Sequence, residues 1–136
     1  MRMKISAKGI AAVQLFLDLG EHEAEGYVSL VDVAKRKDLS KKFLEQIVPL
    51  YKNSGLLLVK GGNQGGYRLG KEAKDISLKD ILSLTESLFA PSSSGVFPLD
   101  EALTRIDAEL DAYLSSLTLE KLVEQQIESY SNTWSI

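Results

Sequence analysis

The sequence predicts a mainly α-helical chain with one small β-hairpin, and three observations carry that prediction. Serines stand ahead of successive apolar-periodic stretches at Ser6, Ser29, Ser40 and Ser77, as helix N-caps do. Residues 56–69, LLLVKGGNQGGYRL, read as a strand, a glycine-rich turn and a second strand. From Leu99 onward, apolar residues recur in steps of four and three, the seam of a long amphipathic helix. Short capped helices followed by a hairpin make a winged helix-turn-helix, here with a long C-terminal helix appended.

Composition bounds the reading. A chain of 136 residues is long enough for one good core with a helical extension, and short for two independent domains. Its 44% hydrophobic and 26% charged residues are ordinary for a globular protein. No apolar run approaches the roughly 18 residues of a membrane span. The start, MRMKISAKG, is basic, but the stretch after it contains Asp18, Glu21 and His22 and lacks a signal peptide's apolar run. A cytoplasmic protein is expected. Without cysteine there are no disulfides, thiolate metal sites or cysteine nucleophiles. The single histidine, His22, reads as a polar ring at a helix C-terminus rather than a metal ligand or catalytic base.

The net charge of −3 hides an asymmetry. Residues 1–74 hold 13 Lys/Arg against 8 Asp/Glu, a balance of +5, whereas residues 75–136 hold 3 against 11, a balance of −8. A basic front and an acidic back suit a protein that offers one face to a polyanion.

Along the chain, Ser6 opens a first helix of about residues 7–22, with Ile10, Val13, Phe16, Leu17 and Leu19 expected to be buried. Gly26 marks a turn. Ser29 and Asp32 approach a capping box for a helix of about 30–37, which buries Leu30, Val33 and Ala34. The link K-D-L-S leads to Ser40 and a third helix of about 41–53. Its Phe43, Leu44, Ile47, Val48 and Tyr51 should face inward, and Lys41, Lys42, Glu45, Gln46 and Lys52 outward. Pro49 lacks a backbone donor and clashes with the carbonyl of Glu45, so a kink is expected there, with Gly55 ending the helix.

Strands over 56–60 and 67–69 form the hairpin, and a fourth helix runs over about 78–89. The loop 90–98, rich in serine and proline, separates a DNA-binding domain over residues 1–89 from a helical segment over 99–136. There Leu99, Leu103, Ile106, Leu110, Tyr113 and Leu117 form a heptad-like seam suited to dimerisation on a helix of about 99–116. Thr118 caps a last short helix to about residue 130, and Trp134 reads as a packing anchor.

The chemistry follows from this layout. The first residues of a recognition helix meet base edges in the major groove; here they are Ser40, Lys41, Lys42, Glu45 and Gln46. Lysine can donate to guanine, glutamine can pair with adenine, and glutamate can accept from cytosine. Two lysines alone would more simply be a solvated face, but the capped helix pair and following hairpin favour DNA. In the wing, Lys60, Asn63, Gln64 and Arg68 supply donors to phosphates or the minor groove. Ser29, Lys4, Lys8 and Lys52 complete the candidate DNA-contacting set. The glycines match neither a P-loop nor a dinucleotide fingerprint. No histidine–carboxylate–nucleophile set is present, so neither an enzyme nor a bound cofactor is expected.

The segments MKISAKG, LDL, VSLVDVA, SKKFLEQIVPL and GGYRL resemble the Rrf-two family of bacterial winged helix-turn-helix transcription regulators. The likeness covers about residues 3–88 and extends more loosely, through DEAL and LTLEKL, to about 125. It implies a winged-helix domain, a long dimerisation helix, and a homodimer on a near-palindromic operator in double-stranded DNA. A proline inside the recognition helix is a family feature. Two departures stand out. Sensory members carry three cysteines after the fourth helix, and residues 90–106 have none, which excludes an iron–sulfur cluster held in that way. The adjacent serines 92–94 read as loop residues. The family's wing has arginine followed by glycine and proline; this one has Lys60, no proline and one extra residue, which leaves open whether it makes the usual minor-groove contact and which operator it reads.

The expectation is therefore a dimeric, sequence-specific repressor. The alternative from another class is an interaction module controlled by, or controlling, a metabolic enzyme partner. A small-molecule effector held near Phe89, Phe97, Tyr113 and Trp134 is a third reading.

Overall fold

The computed structural model describes residues 4–89 and 93–132. Trp134 and Ser92 therefore lie outside the described residues. Three helices form the N-terminal unit: α1 (Ala7–Glu21), α2 (Leu30–Lys37) and α3 (Lys41–Ile47). Each starts where a serine hydroxyl accepts a backbone N–H: Ser6 from Gly9, Ser29 from Asp32 and Ser40 from Phe43, at 3.1–3.2 Å. Such caps satisfy donors that the helix itself leaves free. Phe16, Leu15, Val33, Leu44, Ile47 and Tyr51 are fully buried where the three helices meet, each burial contributing roughly 1.5–3 kcal/mol. Ile10, expected in this core, is 53% exposed; Ala11, Ala12 and Leu15 face inward instead. Small alanines at the contact let the other helices approach α1 closely.

The third helix is shorter than expected. Ile47 ends its α-helical part, and Val48–Tyr51 continue as a 3-10 turn with Pro49 near its start. The tighter winding accommodates the missing donor of Pro49 and turns Tyr51 inward. There its ring meets Phe16 edge-on at 5.0 Å between centroids. Lys52 caps the turn, so Gly55 does not end the helix; at φ +80° it shapes the approach to the hairpin.

The wing is β1 (Leu57–Lys60) paired antiparallel with β2 (Gly66–Leu69), in register Leu57↔Leu69 through Lys60↔Gly66. A third segment joins it: Val28 and Tyr67 exchange both backbone hydrogen bonds at 2.8 Å. This places the chain just ahead of α2 against the wing. Gly66 is required there, because a Cβ would collide with the Val28 carbonyl.

After a 3-10 turn at Ala73–Asp75 comes α4 (Leu78–Leu82), opened by a full capping box of Ser77 and Asp80. It stops well short of the expected residue 89. Ser83 Oγ bonds the Lys79 carbonyl and Thr85 Oγ1 the Leu82 carbonyl, local bonds that compete with helix continuation. Glu86 turns away to α1, where its carboxylate accepts from the Ser6 amide (2.8 Å) and hydroxyl (2.6 Å). Helix α5 (Phe97–Ser116) begins two residues earlier than expected, with Pro98 in its first turn. It leans on α4 through Leu114, which packs with Leu82 and Leu88, and through a 2.6 Å ion pair between Lys79 and Asp111. Thr118 then opens α6 (Leu119–Asn132), which returns to pack on α1, with Leu119 fully buried in the main core.

Candidate nucleic-acid interface

Elementary packing decides which side chains of α3 are free. Leu44 and Ile47 are buried against α1 and α2, which leaves Lys41, Lys42, Glu45 and Gln46 exposed on the opposite side. Lys41 and Glu45 approach to 3.9 Å, one turn apart and each more than half exposed. Such a pair costs little to separate, so both groups can turn to another partner. Ser40 is exposed, and its hydroxyl accepts from the Phe43 amide.

The wing presents Lys60, Asn63, Gln64 and Arg68, all exposed. Two of these cations converge on one aromatic ring: Lys60 Nζ lies 5.9 Å and the Arg68 guanidinium 5.5 Å from the Tyr27 centroid. Lys60 is on β1 and Arg68 on β2, so the Tyr27 face gathers one cation from each strand. Sequence reading missed Tyr27. The only local signal was an aromatic residue just before the Ser29 cap, and its importance follows from the Val28–Tyr67 pairing that brings it to the wing. Ser29 is half-buried, its hydroxyl occupied by the Asp32 amide. Lys52 is exposed beside the wing, whereas Lys4 and Lys8 flank the Ser6 cap that holds the Glu86 carboxylate. That acid reduces the local positive potential at the start of α1.

A polar frame holds α2 to α1, α6 to both, and the turn after α3 to α4. Asp18 on α1 is fully buried and bonded twice to Arg36 of α2. This contact holds the Arg36 guanidinium above its usual pKa. Lys37 Nζ bonds Glu21 at 2.7 Å, and Tyr130 of α6 donates to the other Glu21 oxygen at 2.9 Å. Burial lowers the Lys37 pKa, but the bonds that its ammonium donates to Glu21 and to Tyr130 outweigh this and raise it. Tyr51 donates to the Ile81 carbonyl at 2.6 Å, and desolvation pushes its phenol well above the ordinary range. The C-terminal helix is thus tied to the helix-turn-helix by named polar contacts.

The expected seam lies largely open. Leu99, Ile106 and Tyr113 are exposed, Leu103 and Leu110 half-buried, and Leu117 falls just past the end of α5 as its cap. Phe89 joins the small cluster around Leu114, while Phe97 and Tyr113 are exposed.

The Rrf2 family, described as iron-dependent transcriptional regulators, matches residues 5–125. The chain belongs to this family. Family members with similar sequences include the HTH-type transcriptional regulator IscR of Photorhabdus laumondii, 34% identical over 91% of this chain and 81% of that protein. Among solved structures, CymR, the global cysteine regulator of B. subtilis, superposes with a TM-score of 0.82 at 32% identity, covering 91% of this chain and 98% of that one. IscR of T. potens gives 0.77 at 34% identity, covering 93% and 90%. These relatives are transcriptional regulators, not enzymes, and they bear out the winged helix-turn-helix reading. Among the described residues no helix is long and apolar enough to cross a membrane.

Proposed function

We propose that this family member is a homodimeric, sequence-specific repressor that places residues 40–46 in the major groove of a near-palindromic operator. The observation that carries the reading is the capped start of α3. Lys41, Lys42, Glu45 and Gln46 are all exposed there, while the rest of the helix is held by the core. The Tyr27-gathered cations support a wing contact to backbone or minor groove. Support for the homodimer comes from Leu99, Ile106 and Tyr113, apolar side chains exposed at heptad spacing on α5. Half-sites should lie about one helical turn, or a multiple of it, apart.

The regulator works without an iron–sulfur cluster, because its residues do not fit one. The chain has no cysteine. Where sensory relatives carry thiolates, Ser94 donates to Asp100 through its amide (3.0 Å) and hydroxyl (2.8 Å), and Ser93 donates at 3.2 Å. These bonds hold the Asp100 carboxyl below its usual pKa and leave it stitching the loop to α5. No cluster of three His, Cys, Asp or Glu suited to a metal occurs among the described residues.

The test is fluorescence anisotropy with genomic fragments at two salt concentrations. Affinity should fall steeply with salt, with a log–log slope of about −0.9 per phosphate contact. Lys42→Glu should reduce affinity at least about tenfold with the oligomeric state unchanged. Salt-independent binding, or no binding to any fragment, would overturn the reading.

A further inference from the structure

Behind the proposed reading surface, an open crevice of about 310 Å3 runs between the 3-10 turn after α3 and the wing. It is lined by Val48, Pro49, Lys52, Leu57, Val59 and Tyr67. That volume lies at the small end of the roughly 300–1,000 Å3 typical of small-molecule sites. Five of the six lining residues offer apolar surface, and Pro49 has no backbone N–H to donate. Lys52 is the single charge, exposed and without an ion-pair partner among the described residues. The complementary occupant has an apolar body and one anionic head. Phosphosugars and zwitterions would find too few polar partners here.

We propose that this crevice binds a small apolar carboxylate, with Lys52 as its counter-ion, and that its occupancy weakens DNA binding. The body displaces water along Val48, Leu57 and Val59. The head neutralises a cation that stands in the proposed DNA-contacting set. A ligand there also touches both the recognition element and the wing, so it biases their spacing. Occupancy of the crevice is independent of the DNA-binding reading; the regulatory effect rests on it.

Octanoate is a suitable probe, with octanol as its uncharged counterpart. Titrated into the 15N-labelled full chain without DNA, octanoate should shift the amides of Val48, Lys52, Leu57, Val59 and Tyr67 saturably. It should bind about five-fold more tightly than octanol, the preference of one exposed charge pair. Lys52→Gln should abolish that preference. Equal affinity for octanol and octanoate, or shifts confined to the α5 seam, would overturn the site. In the presence of DNA, saturating octanoate should weaken wild-type binding by about five-fold and leave Val59→Trp, whose indole fills the crevice, unaffected; Val59→Phe serves if the larger ring disturbs the hairpin. Crevice binding without any change in DNA affinity would overturn the regulatory half. A chain that takes up octanoate yet binds no DNA would overturn the proposed function alone.

Discussion

Arg36 on α2 clamps the fully buried Asp18 on α1 with two parallel hydrogen bonds, Nε to Oδ1 and Nη2 to Oδ2, both 2.9 Å. The fork geometry fixes both the separation and the angle of the two helices, which a point charge would not.

Arg36→Ala removes both hydrogen bonds to the buried Asp18 carboxylate, leaving it His22 Nδ1 at 3.7 Å, and should destabilise the fold by about 3 kcal/mol. That is the lower end of the range for a broken buried pair, since Arg36 is itself a third exposed. Arg36→Lys should recover little of the loss, because lysine cannot make the bidentate contact. Chemical denaturation of the three proteins measures this. Equal midpoints for wild type and Arg36→Ala would refute a clamp role.

Tyr51 predicts the alkaline behaviour. Burial raises its folded pKa, so the folded state holds the phenol proton more strongly than the unfolded state does. The associated stability is complete below the ordinary tyrosine pKa of about 10 and is lost as pH climbs above it. Tyr51→Phe should cost about 1–2 kcal/mol at neutral pH by orphaning the Ile81 carbonyl, and should flatten the alkaline fall in melting temperature. Thermal unfolding between pH 8 and 11 decides it.

Tyr27 predicts a split between ring and hydroxyl. Tyr27→Phe keeps the surface that gathers Lys60 and Arg68, so DNA affinity should stay within about two-fold of wild type. Tyr27→Ala releases both cations and should weaken binding by about five- to thirty-fold, at roughly 0.5–1 kcal/mol for each of the two contacts. Anisotropy with one operator fragment compares the three, and equal losses in both variants would count against the ring.

The α5 seam predicts the oligomeric state. Ile106→Asp combined with Tyr113→Asp puts charge on the exposed apolar face and should raise the dimer dissociation constant by at least about 100-fold. Sedimentation equilibrium would show monomer. A double variant that stays dimeric means that another surface joins the protomers.

How much of this was legible beforehand varies with the range of the interaction. The caps at Ser6, Ser29, Ser40, Ser77 and Thr118 were readable because a cap involves residues within about one turn. Pro49 announced its own kink, since the missing donor is a local fact. The length of α4 was not readable. Its periodic pattern continues past Leu82, but Glu86 is drawn to Ser6, a partner 80 positions away. The face of α1 was misjudged at Ile10 because hydrophobicity alone ranks isoleucine above Ala11 and Ala12, whereas close helix contact favours the smaller side chains.

The sequence by itself determined the order of elements, the exposed start of α3, the heptad spacing of α5 and the exclusion of a cysteine-held cluster. Each depends on residue identity and short-range periodicity, which survive without coordinates. Only the tertiary structure decided that Asp18 meets Arg36, that Tyr27 gathers one cation from each wing strand, and that Tyr130 ties α6 to α1 and α2. Those contacts bring together residues far apart in the chain, and their geometry is set by how the helices pack on the core, which no local pattern encodes.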